Sequence, residues 1–115
     1  MADMEDGLWA GNEKANLENT PLTSQFVTAF VKGKTDGFAL KGGDASQGTL
    51  KTMYDGPRPQ GYQPMKKQAS ILLGIGGDNS DVAVGTFFEG CLTQGVSSDA
   101  TDDSVQANIV GVYGA

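Results

Sequence analysis

The sequence predicts an all-β fold, a β-sandwich built from about six or seven short strands with one short helix near the C-terminus. Three observations carry this. Short runs of β-branched and aromatic residues recur along the chain. Glycine turns separate them, with 17 glycines in 115 residues. One stretch near the C-terminus breaks the strand pattern with hydroxyl and carboxylate residues that suit a helix start.

The elements follow in order. Met4 to Ala10 alternates apolar and acidic residues, the pattern of a half-buried strand. Asn12 to Thr23 is polar, contains Pro21 and reads as a loop. Gln25 to Lys32 is the clearest strand, apolar on both faces, which predicts a central place covered on both sides. Gly33 to Gly37 forms a turn into a strand at Phe38–Lys41, Gly42-Gly43-Asp44 turns again, and Thr49–Tyr54 is the next strand. Asp55 to Lys67 holds three prolines and two glycines and reads as a long ordered loop. Ser70–Ile75 is a buried strand ending at Gly76-Gly77, and Gly85–Thr93 is a further strand. Ser98 to Ser104 starts a helix that continues through Asn108, and Ile109–Tyr113 returns to strand.

Composition narrows the function classes. The length fits one small domain. The net charge of −6 argues against nucleic acid, whose phosphates need basic surface. No apolar run approaches the ~18 residues of a membrane span. The single cysteine, Cys91, has no partner for an internal disulfide and reads as a buried apolar residue. The N-terminus lacks the positive start and apolar stretch of a signal peptide.

With no histidine, the carboxylates are the main candidates for chemistry. Glu5 lies in an acidic cluster that alternates with apolar residues and ends at Trp9. Asp78 lies on the glycine turn Gly76-Gly77-Asp78 after an apolar strand. Two carboxylates in unlike surroundings can hold different pKa values, as glycoside hydrolysis requires of its acid and its second carboxylate. The bland reading is a solvated strand glutamate and a turn aspartate. Trp9 offers a face for sugar stacking, or a core side chain. Glu89, between Phe88 and Gly90, is a third carboxylate that could replace either member of the pair. Residue types alone leave these readings open. Asp78-Asn79-Ser80-Asp81 fits no EF-hand spacing. Gly33-Lys34-Thr35 is not a phosphate loop, because Ala29 stands where the first glycine is required. Arg58, in Tyr54-Asp55-Gly56-Pro57-Arg58-Pro59, reads as a structural clamp.

Longer motifs add a family likeness. Met1-Ala2-Asp3-Met4-Glu5-Asp6-Gly7-Leu8, Phe26–Gly33, Tyr54–Tyr62, Pro64–Lys67, Leu73–Ser80 and Ser104–Val110 together resemble the C-terminal half of the catalytic domain of the fungal α-L-arabinofuranosidase B family, glycoside hydrolase family 54. The resemblance implies a concanavalin-like sandwich (a jelly roll), of which residues 1–115 would form the C-terminal part of a single catalytic domain. It implies a retaining mechanism with Glu5 as nucleophile and Asp78 as general acid/base. Asp3 and Gly77 fall on positions that contact the arabinofuranose. Asp6 stands where the family usually has asparagine near the sugar, which adds a charge beside Glu5.

The resemblance further implies extracellular action on arabinofuranosyl-containing polysaccharide or oligosaccharide, without metal or organic cofactor. An N-terminal half, with a vicinal cysteine pair, would precede Met1, and an arabinose-binding β-trefoil would follow the domain. The chain therefore reads as a fragment or truncated product whose partner is the missing N-terminal half. The alternative is a non-catalytic carbohydrate-binding sandwich in which Trp9, Asp3 and Asp78 hold a sugar uncleaved; a third reading is a fragment without function.

Overall fold

The computed structural model describes residues 21–57 and 84–114. The chain separates into two units, Met1–Tyr62 with Thr93–Ala115, and Gln63–Leu92. The described part of the first unit is an antiparallel sheet of β1 (Val27–Gly33), β2 (Gly37–Asp44) and β3 (Lys51–Pro57), followed by helix α1 (Asp99–Tyr113). The strands lie in the order β1-β2-β3. The described fold is thus mainly β with one C-terminal helix, as the sequence predicts. No second sheet occurs among the described residues.

The β1–β2 hairpin turns at Lys34–Asp36, where the Lys34 amide donates to the Gly37 carbonyl at 3.0 Å. Gly37 is required there: a Cβ would lie 2.3 Å from the Gly56 carbonyl oxygen on β3. The β2–β3 connection begins with the Asp44 carboxylate, which accepts from the Ser46 amide at 2.8 Å and its hydroxyl at 2.6 Å. These bonds hold the Asp44 carboxyl below its usual range. Gly48, with φ +77°, completes the turn in the left-handed region that glycine enters without strain.

Register fixes which residues share a face. Thr28 pairs with Gly43, Phe30 with Lys41 and Lys32 with Ala39, so these six point to one side of the sheet. Val31 pairs with Leu40 on the other side, where Leu40 also pairs with Tyr54. The Phe38 and Tyr54 rings meet there diagonally, with centroids 4.7 Å apart. Between Leu40 and Lys41 the β2–β3 register slips by one residue, leaving Met53 as a bulge.

Five expectations are corrected. Gln25–Lys32 is not covered on both faces. β2 occupies the middle of the described sheet, and Val31 on β1 is 69% exposed. Gly42–Asp44 is no turn but the end of β2, because its backbone continues the ladder opposite Val27–Ala29. Residues 84–93 adopt no regular structure and are exposed, since a strand needs a ladder partner and they have none among the described residues. Cys91, on this segment, is exposed rather than buried.

The fifth correction concerns the C-terminus, where Ile109–Tyr113 is helical. Its β-branched residues lower helix propensity by only about half a kcal/mol each. A strong N-terminus upstream outweighs that. The Ser98 hydroxyl accepts from the Thr101 amide at 3.1 Å, and Asp99 and Asp102 face the positive end of the helix dipole. The helix therefore runs for 15 residues instead of a turn or two.

Candidate functional site

All six residues named from sequence as catalytic or sugar-binding lie outside the described residues. Asp3, Glu5, Asp6 and Trp9 fall within residues 1–20, and Gly77 and Asp78 within 58–83. The Asp78–Asp81 segment, whose spacing fits no EF-hand, and Arg58 fall there as well. Glu89 is described and exposed.

The described polar groups converge at one place, the junction of the sheet with α1. Lys32 on β1 and Lys41 on β2 are diagonal neighbours on the same face. Both are buried, and both reach the first turn of α1. Lys32 Nζ lies 2.5 Å and Lys41 Nζ 2.8 Å from Asp102 Oδ2. The same two ammonium groups lie 3.2 and 2.7 Å from Asp99 Oδ1. Ser97 Oγ donates to the remaining Asp102 oxygen at 2.5 Å. One turn further along the helix, Gln106 Nε2 donates to the Asp44 carbonyl at 2.7 Å. The Asp102 and Gln106 side chains, four residues apart, share the helix face that meets the sheet.

The electrostatics favour full ionisation. Burial pushes the Asp102 carboxyl up, but hydrogen bonds from Lys32, Lys41 and Ser97 outweigh it and hold the group at about 2. The Asp102 hydrogen bond raises Lys32 above the ordinary lysine value, against the effect of burial. Burial lowers Lys41, and its bonds to Asp102 and Asp99 more than compensate. The Asp99 carboxyl is held low, first by its hydrogen bond from Lys41 and then by that from Lys32.

Near neutral pH all four groups hold their charge, and Asp102 has no contact with solvent. The cluster can fix a helix in place; it cannot act as a general acid or base. Sequence reading placed a helix start with hydroxyls and carboxylates at Ser98–Ser104, the segment that contains Asp99 and Asp102, but did not single out the lysines. The available signal is two lysines in apolar strands, one on each side of a single hairpin turn.

With this scaffold in view, the comparisons with known proteins are specific. The family of the α-L-arabinofuranosidase B catalytic domain matches residues 1–114. The chain belongs to that family. An α-L-arabinofuranosidase of Hypocrea jecorina is 54% identical over 113 residues, which are 96% of this chain and 23% of that protein. An arabinofuranosidase/β-xylosidase of Trichoderma koningii is 53% identical over the same shares.

Among solved structures, an arabinofuranosidase complexed with arabinofuranosyl-α-1,2-xylobiose superimposes with a TM-score of 0.79. It is 48% identical, and the match covers 93% of this chain and 23% of that one. A mutant of a glycoside hydrolase family 54 α-L-arabinofuranosidase, soaked with 4-nitrophenyl α-L-arabinofuranoside, gives 0.78 at the same identity and coverage. The chain spans less than a quarter of the length of these relatives.

Proposed function

We propose that residues 1–115 are the C-terminal part of a single arabinofuranosidase catalytic sandwich. The domain they belong to releases terminal α-L-arabinofuranosyl residues from arabinan or arabinoxylan side chains. The observation that carries this reading is the family match over residues 1–114, at 54% identity to an α-L-arabinofuranosidase. The relative bound to arabinofuranosyl-α-1,2-xylobiose supports the substrate class. Arabinose-bearing wall polysaccharides place the proposed action outside the cell.

The mechanism uses the two carboxylates in turn. Glu5 attacks the anomeric carbon as Asp78 protonates the departing oxygen, giving a glycosyl-enzyme. Asp78 then takes a proton from water, and that water displaces Glu5 with net retention. Glu5 must be ionised and Asp78 protonated at the start, so their environments must hold the two pKa values apart. Asp3, Asp6 and Gly77 hold the sugar, and the Trp9 indole packs against its C–H face. The extra charge of Asp6 disfavours ionised Glu5 and slows the first step relative to an asparagine.

A segment exchange tests this reading. Residues 1–114, the span of the family match, replace the corresponding segment of the Hypocrea jecorina enzyme, and turnover of 4-nitrophenyl α-L-arabinofuranoside is measured. The exchange should retain turnover, and Asp78→Asn within it should lose about 10²–10⁴-fold. Glu5→Gln should abolish glycosyl-enzyme formation. A folded exchange protein that binds the substrate without cleaving it would instead support the sugar-binding reading.

A further inference from the structure

The way α1 is attached to the sheet differs from ordinary helix packing. An amphipathic helix docks through an apolar stripe. The fully buried residues of α1 are instead Asp102 and Gln106; Val105, Ile109 and Val110 are half-buried, while Val112 is 66% and Tyr113 41% exposed. Asp102 receives two ammonium groups and a hydroxyl, and Gln106 binds a strand carbonyl. The strands themselves are joined by backbone ladders, interrupted once by the bulge at Met53. The two attachments therefore rest on different chemistry.

We propose that Lys32, Lys41, Asp99 and Asp102 form an electrostatic latch, a conformational device that decides whether the C-terminal helix stays on the sheet and that acid opens before the strands separate. The groups facing Asp102 from each described element are Lys32 from β1, Lys41 from β2, Asp99 from α1 itself and Ser97 from the segment before it. Two cations balance two carboxylates, so the cluster is neutral when all four are charged. Protonating the carboxylates leaves two buried ammonium groups without counter-charge, which the interior does not tolerate.

The direction with pH follows from the native state holding Asp102 low, at about 2. Its contribution is complete above the unfolded value near 3.8 and is lost as pH falls through about 2. The raised lysines lose theirs only as pH rises beyond 10.5. Between these limits the latch is closed. Salt should weaken the pairs of Asp99, whose side chain is 81% exposed, more than those of Asp102, which is fully buried.

Amide hydrogen exchange on the full 115-residue chain tests the proposal. At pH 7, α1 and β2 should both be protected. On lowering the pH to about 1.5, exchange in α1, corrected for the intrinsic rate, should accelerate at least tenfold before that of β2 changes. Asp102→Asn, which removes the charge and keeps the shape, should produce the same selective loss at pH 7. A triple replacement, Lys32→Met, Lys41→Met and Asp102→Leu, should keep α1 protected and remove its acid sensitivity. Loss of α1 and β2 protection together in acid, an α1 unprotected at pH 7, or an acid-sensitive α1 in the triple variant would each overturn the latch.

Discussion

Asp102 illustrates how a single carboxylate can be fully buried and still ionised. It forms three close contacts with cationic or hydroxyl donors, enough to replace the water it loses. Thr28 illustrates the opposite condition. It sits on the same face of the sheet, is 8% exposed, and its hydroxyl has no hydrogen-bond partner among the described residues. A buried hydroxyl left unmatched costs about 1–3 kcal/mol. Thr28→Val keeps the shape and removes the group, so stability should hold or rise by up to about 1 kcal/mol. A fall of more than about 1 kcal/mol in denaturant unfolding would show that the hydroxyl is bonded. These matches and mismatches are hard to read from sequence. Lys32 and Lys41 look like ordinary strand lysines until the hairpin register sets them side by side. Cys91 reads as buried because cysteine usually is, yet it lies exposed on a segment without regular structure.

Elements were legible where local chemistry decides them. The Ser98 cap and the acids after it mark the start of α1, and Gly33–Gly37 marks the hairpin, because both depend on residues within a few positions. The helix should be correspondingly sensitive to its cap. Ser98→Ala leaves the Thr101 amide without its acceptor and should cost about 1 kcal/mol, read as a lowered unfolding midpoint. An unchanged midpoint would show that the buried charges alone fix where the helix begins. Elements were misread where tertiary context decides. Gly42-Gly43-Asp44 has turn composition but completes a ladder. Ile109–Tyr113 has strand composition but continues a helix already under way. The strand expected at Gly85–Thr93 has the right residues and, among the described residues, no partner to pair with.

At the scale of the molecule, long irregular motifs carried what periodicity could not. The family was legible because Met1–Leu8, Tyr54–Tyr62 and Leu73–Ser80 preserve whole segments in order, and the family match over residues 1–114 agrees. The described sheet is one layer, and a sandwich needs a second to cover the face that leaves Val31 exposed. The chain is less than a quarter of the length of its relatives. The central claim is spatial: Glu5 and Asp78 line a single arabinofuranose-sized cleft. The most direct measurement is the distance between their carboxyl groups in a crystal structure of the segment-exchanged enzyme. A retaining pair predicts about 5–5.5 Å, and a separation beyond roughly 6.5 Å, or side chains on different surfaces, would contradict the assignment.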